Sequence, residues 1–221
     1  MLLPVGEFPV LEWVLRRVMK SSMVDAVVLA LPETAENDVL EKLAREIGCT
    51  VYRGSEHDVL KRLTLSVQEF QPDIVVRVCA DRPFVDPHVL DDTVRFFNSR
   101  AVAEHPLELA FSHKAGMGED WPFGFGVEVL SFASLDWLDR SVTDEFEREH
   151  VTLHMWNNAE KFSIEPLPCP LIYSKLGPDY KLDLDTEDDL ARLRQIVIDE
   201  VDLTLHGHVF VERMVKQRCC L

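Results

Sequence analysis

Apolar and polar residues follow two alternating rhythms along the first hundred positions. Val10, Leu11, Trp13, Val14, Leu15 and Val18 recur at helical spacing and predict a helix running to about Lys20. Asp25–Leu31 is then a nearly continuous apolar run stopped by Pro32, the pattern of a strand buried on both faces. A second helical stripe (Val39, Leu40, Leu43, Ile47) starts near Thr34 and stops at Gly48. A short strand at Cys49–Tyr52, a helix over 57–70, a strand at Ile74–Ala80 and a helix opening at Pro87 complete the series. Strand–helix–strand units joined by short loops predict an α/β fold, mainly a parallel sheet with helices on both faces.

From about residue 101 the rhythm is less regular. Strands are expected at Leu107–His113, Val127–Ser131, Phe162–Leu167 and Lys181–Leu184, and helices near Ala133–Asp139, Glu145–Trp156 and Thr186–Val201. Lys114–Phe125 reads as a loop over the face of the sheet. No low-complexity linker or internal repeat divides the chain, so residues 1–201 are expected to form one α/β domain, with 202–221 as a C-terminal extension. The apolar positions of that end (Leu203, Leu205, Val209, Phe210, Met214, Val215) suit core packing and a homodimer interface equally.

Charge narrows the partners. The 221 residues carry 39 acidic against 23 basic side chains, a net charge of −16. Binding a polyphosphate surface needs cations to replace released counterions, so nucleic acid and anionic membranes are excluded as general partners. A single phosphate site or a divalent metal is not. With only 9 glycines and neither G-x-G-x-x-G nor G-x-x-x-x-G-K-[ST], the chain lacks dinucleotide and P-loop fingerprints. Its 5 cysteines are widely spaced with no C-x-x-C, which suits a reduced cytoplasmic setting. The opening Met1–Gly6 has no basic stretch, so it makes a poor signal peptide, and no apolar run is long enough to span a bilayer.

Two carboxylate positions invite chemistry. Asp81 ends the most strand-like segment, where open parallel sheets bind ligands, although it also reads as a cap of the turn before Pro83. Period two puts Asp183 and Asp185 on one face of the expected strand 181–184. Helix-dipole chemistry accounts for Glu187, Asp188 and Asp189 but leaves Asp183 less well explained. Separated aspartates at strand ends suggest Mg²⁺ at a nucleotide site, because a nucleoside triphosphate brings most of the metal's ligands itself. His150 and His154 lie four apart on an expected helix, a possible metal spacing, but packing or interface roles fit them better. His206-Gly207-His208 is a weaker signal still, and Ser55 and Ser174 have no nucleophile-elbow context.

These segments fall in an order that resembles the CMP-sugar cytidylyltransferase family, in its spore coat polysaccharide biosynthesis protein F branch. The resemblance covers nearly all of residues 1–195. Its carriers are Leu2-Leu3-Pro4-Val5-Gly6, Tyr52-Arg53-Gly54-Ser55-Glu56, Val76-Arg77-Val78 through Asp81-x-Pro83, Pro122-x-Gly124 with Val127-Glu128-Val129, Arg148-Glu149-His150-Val151-Thr152, and Leu184-Asp185-Thr186-x-Asp188-Asp189. It implies a Rossmann-like nucleotide-diphospho-sugar transferase fold and a reaction joining CTP to an acidic sugar with Mg²⁺. By position it implies Asp81 and Asp185 as catalytic metal carboxylates, Arg53 and Arg77 beside the nucleotide, and Glu128, Arg148 and His150 on the sugar side. Ala80 and Arg82 depart from the family's Gly-Asp-Cys-Pro, and Lys181 stands where an Arg is usual.

The resemblance also implies a first strand and an Arg-Leu-Pro-Gly-Lys loop ahead of Leu2, with Met1 standing where a Val is common. That strand would lie between 25–31 and 74–80. Leaving its place open exposes several buried backbone groups at about 1–3 kcal/mol each, a sum rivalling the roughly 5–15 kcal/mol stability of a whole domain. The expectation is a longer natural product, or neighbouring strands that pair directly, or another segment in the slot; the chain as it stands is expected to be impaired. A nucleotide-sugar glycosyltransferase using Asp183-Leu184-Asp185 and a catalytically inactive partner subunit are the alternatives.

Overall fold

The computed structural model describes residues 1–101, 106–113, 121–175, 180–196 and 206–218. A tight antiparallel ribbon, β1 (Pro4–Val5) against β2 (Phe8–Pro9), leads into α1 (Val10–Val18), which buries the apolar stripe its spacing predicts. Trp13 Nε1–H donates to the Val5 carbonyl at 2.7 Å and ties helix to ribbon. β3 (Val28–Pro32) and β4 (Thr50–Gly54) pair in parallel around α2 (Asp38–Ile47), with Val28 opposite Thr50. α3 (Val59–Gln68) follows, capped by the Asp58 side chain on the Lys61 N–H. Then come β5 (Ile74–Arg77) and α4 (Pro87–Ser99), with Pro87 in its first turn and Asp86 accepting the His88 N–H at 2.9 Å.

The second half supplies β6 (Leu109–Phe111), β7 (Glu128–Ser131), α5 (Phe132–Ser141), α6 (Glu145–Glu149), α7 (Leu153–Asn157), β8 (Ile164–Pro166), α8 (Leu171–Ser174), α9 (Glu187–Ile196) and α10 (Gly207–Arg218). The larger sheet has the order β5-β7-β6-β8; β7 is antiparallel to both neighbours, and β6 and β8 are parallel. The α/β class therefore holds, with a mixed sheet where β7 enters.

Several elements differ from expectation. The expected strand Lys181–Leu184 is not one, because its backbone bonds to Phe123 alone before passing to Asp81. Leu182 N–H donates to Phe123 O at 3.1 Å and Leu184 N–H to Asp81 O at 2.9 Å. The expected helix 145–156 is broken in two by Val151, which sits at φ 58°. This also dissolves the His150/His154 spacing, and His154 Nδ1 instead meets Glu147 Oε2 at 2.7 Å. Finally, expected strands are shortened: 25–31 begins as β3 at Val28, and 74–80 ends as β5 at Arg77, so Asp81 lies in the turn beyond the strand rather than at its end.

Between β3 and β5 the molecule holds a cavity of about 610 Å³, lined by Val28 and Leu29 on one side, Val75 and Val76 on the other, and Leu63 and Val94 from the flanking helices. The two strands belong to separate sheets, and among the described residues no strand lies between them. Each therefore presents an unpaired edge to the cavity. α10 inserts Phe210, Val211 and Met214 among Trp13, Phe84 and Trp121, with Phe84 and Phe210 stacked at 4.2 Å. The described part of the apolar C-terminal stretch thus packs inward; Leu203 and Leu205 lie outside the described residues.

Candidate active site

The rim above β5 is assembled by short-range backbone contacts. After Arg77 the chain runs through a turn at Asp81, and the Asp81 carbonyl accepts the Leu184 N–H. The same segment is fixed from its other side by Phe123, whose N–H reaches the Tyr180 carbonyl at 3.0 Å. Gly124 makes this approach feasible. Its φ is 97°, and a Cβ there would stand 2.6 Å from Leu182 Cβ and 2.8 Å from the Leu182 carbonyl carbon. A side chain would push the 182–185 segment off the Asp81 turn.

Around this junction lie Asp81, Asp183, Asp185 and the Lys181 ammonium. Lys181 Nζ is 2.5 Å from Asp185 Oδ2, 3.9 Å from Asp183 Oδ1 and 3.6 Å from Asp189 Oδ2. Asp185 is the exposed member of the group, whereas Asp183 is buried. Burial pushes the Asp183 carboxyl pKa up, and the charges of Asp185 and Asp81 push it further, against the pull of Lys181. Asp81 Oδ1 and Asp183 Oδ1 are both buried without a hydrogen-bond partner. Two electrostatically coupled, unsatisfied carboxylate oxygens suit a hard cation, so this donor set fits Mg²⁺. Asp183 was visible in the sequence only as the period-two partner of Asp185. Arg82 adds a cation to the edge of the group: its Nη1 donates to Gly126 O, and its Nε lies 4.0 Å from Asp81 Oδ1.

The other candidates form two further groups. Arg77 and Glu128 are cross-strand partners of β5 and β7, joined at 2.6 Å. Burial works against the Arg77 charge, but Glu128 outweighs it and holds the guanidinium above its ordinary pKa; Arg77 likewise holds the Glu128 carboxyl low against its own burial. Thr152 Oγ1–H donates to the second Glu128 oxygen at 2.8 Å and accepts from Trp156 Nε1–H at 3.1 Å. Arg148 is occupied by Asp58, at 3.0 and 2.9 Å, by Asp139, and by the carbonyls of Asp139 and Val142. His150 stands exposed at the end of α6, edge-on to Phe146 at 4.5 Å. Arg53, at the end of β4, is turned to α2, where it meets Glu41 Oε2 at 2.8 Å and Asp38 Oδ1 at 3.1 Å. The structure thus sets Asp81 and Asp185 each within electrostatic reach of Asp183 and pairs Arg77 with Glu128, while Arg53 and Arg148 each spend their guanidinium on neighbouring carboxylates.

The acidic groups gather beyond the carboxyl end of β5, the side on which α/β sheets bind ligands, and comparison with known proteins gives that placement a context. A cytidylyltransferase from Leptospira borgpetersenii superposes with a TM-score of 0.86 at 25% identity, over 99% of this chain and 87% of that one. A CMP:2-keto-3-deoxy-manno-octonic acid synthetase solved with CTP shares the fold at TM-score 0.66 and 13% identity, over 90% and 92% of the two chains. The spore coat polysaccharide biosynthesis protein SpsF of Bacillus subtilis is 27% identical over 199 residues, covering 87% of this chain and 77% of that protein. The profile of the cytidylyltransferase family matches residues 1–203, and the chain belongs to that family.

Proposed function

We propose that this protein transfers CMP from CTP to an acidic sugar for surface or spore coat polysaccharide synthesis. A sugar hydroxyl oxygen attacks the α-phosphorus, the bond to pyrophosphate breaks, and the hydroxyl proton leaves to solvent. The observation that carries this reading is the pair of unsatisfied carboxylate oxygens on Asp81 and Asp183, beside Asp185, in a cytidylyltransferase. Asp81 and Asp183 would offer carboxylate oxygens to Mg²⁺, with Asp185 at the edge of the group, and the ion would neutralise charge developing on the phosphates. Arg77, fixed by Glu128, sits on the strand leading to that rim and is suited to the nucleotide side. Arg53 borders the nucleotide side as a positioning residue. His150 is the exposed group offered to the sugar, while Glu128 and Arg148 position the elements that carry it. A cytoplasmic setting suits the free thiols of Cys49, Cys79 and Cys169, and no described helix is long and apolar enough to cross a membrane.

Pyrophosphate release from CTP, Mg²⁺ and a 2-keto-3-deoxy sugar acid tests the proposal. Slow release requiring all three components is expected, together with a rise in melting temperature on adding CTP and Mg²⁺. The open cavity between β3 and β5 favours a second reading, a catalytically inactive family member serving as a partner subunit. That reading stands, and the first falls, when neither release nor nucleotide stabilisation is observed.

A further inference from the structure

We propose that Asp86, His88 and His206 form a transition-metal site that ties α10 to the start of α4. One donor atom from each of these residues lies within 4.8 Å of the other two, although His206 is far from the others in sequence. The rings of His88 and His206 lie face to face, with centroids 3.9 Å apart and planes 13° from parallel. A Zn²⁺ ion bound at about 2.0–2.2 Å from each donor needs donors roughly 3–4 Å apart. Both histidines are exposed, so their rings are free to turn toward a common ion.

Asp86 gives the site its fixed corner. It is fully buried, and its Oδ2 accepts the Tyr173 hydroxyl and the Gly207 N–H. Oδ1 accepts only the His88 N–H among the described contacts and, with two lone pairs, retains one for an ion. The hydroxyl and amide donors therefore fix the carboxylate before any ligand arrives, the arrangement that outer groups impose on metal ligands. Gly207 has no room for a side chain: a Cβ would stand 2.9 Å from Asp86 Oδ2. The first turn of α10 is thus seated directly on the ligand carboxylate. The opposing influences are the partial positive charge at the starts of α4 and α10 and the nearby Arg17, which is turned to the Val85 carbonyl and the Phe210 ring. The buried Asp86 charge offsets them.

The donor chemistry separates this site from the oxygen-only rim at Asp81, Asp183 and Asp185. Two imidazoles and one carboxylate favour Zn²⁺, Co²⁺ or Ni²⁺ over Mg²⁺, and three protein ligands leave a coordination position for water. Binding would link residues 86–88 to the helix that inserts Phe210 and Met214 into the core.

The test uses the full chain, Zn²⁺ as probe, and equilibrium dialysis with hydrogen exchange. One tightly held equivalent is expected, with slower exchange of the α10 amides and no such slowing from Mg²⁺. The double variant His88→Ala/His206→Ala removes only exposed side chains; it should fold and melt like wild type without metal, and its Zn²⁺ affinity should fall by about 100-fold or more. The variant Asp183→Asn should keep both Zn²⁺ effects. Failure of wild type to hold Zn²⁺, or undiminished binding by the double histidine variant, or loss of binding in Asp183→Asn, would overturn the proposal.

Discussion

At Asp183, burial and the adjacent charges of Asp185 and Asp81 hold the carboxyl above its ordinary pKa. A raised folded-state pKa means the fold favours the protonated form. The stability it contributes is full below the unfolded value near 4 and is lost as pH rises through the folded value. At neutral pH an ionised Asp183 therefore weakens the metal-free fold, as expected of a residue kept for a ligand rather than for stability. Asp183→Asn keeps the shape and removes the charge. It is expected to raise the melting temperature at neutral pH without divalent cation, and to weaken stabilisation by CTP with Mg²⁺ by on the order of 100-fold in affinity. Thermal melts with and without nucleotide measure both. A variant that melts lower while keeping its nucleotide response would make Asp183 a structural residue. Sequence spacing offered Asp183 as the partner of Asp185 but could not rank them, because burial decides which carboxylate lacks a partner.

On the scale of elements, the break between α6 and α7 shows where periodicity stops being informative. Glu145–Trp156 reads as one helix, since φ 58° at a buried valine is a conformation that neither spacing nor propensity announces. The strain, about 1–3 kcal/mol, is offset by what the turn permits: Thr152 reaches Glu128, and Arg148 reaches Asp58 and Asp139. Helices with uniform apolar stripes or clear end signals, such as α1 by its stripe, α2 by Gly48 and α4 by Asp86-Pro87, were legible to within a few residues. The segment 180–185 was not, because it is held by two backbone bonds to Phe123 and one to Asp81 rather than by a continuous ladder. The Arg148 clamp makes a pH-dependent prediction. Burial alone would raise the Asp58 carboxyl, yet the hydrogen bonds from Arg148 outweigh it and depress the pKa. The stabilisation is therefore present above the ordinary carboxylate range near 4 and lost as pH falls through the folded value. Arg148→Ala should cost about 2 kcal/mol at neutral pH, less than a fully buried pair because Asp58 is partly solvated. It should also flatten the acid side of the stability curve in urea melts. An unchanged acid limb in the variant would show that Asp58 draws its stabilisation elsewhere.

For the molecule as a whole, the sheet divides into β3–β4 and β5-β7-β6-β8, and the cavity lies along the division. The resemblance placed a further strand between β3 and β5 and made an open slot there too costly to expect; in the structure β3 and β5 do not pair with each other. The alternation of strands and helices was legible because each element carries its own pattern. The antiparallel entry of β7 was not, because strand order depends on contacts far apart in sequence. A half-open centre has a measurable signature. In a close-packed core, adding methylenes forces side chains off their rotamers at a cost of about 1–3 kcal/mol. Along an apolar cavity the same atoms find empty space and gain about 0.8 kcal/mol per buried CH₂. Val28→Ile with Val76→Ile, one on each wall, should therefore stabilise the chain by about 1.5 kcal/mol, read as a higher urea midpoint at unchanged slope. Hydrogen exchange adds a second reading. Amides of β7, paired on both sides, should exchange through global unfolding, while those of β3 and β5 that face the cavity should exchange orders of magnitude faster. A destabilised double variant with uniformly slow exchange across β3, β5 and β7 would mean that the two sheets close on each other in solution.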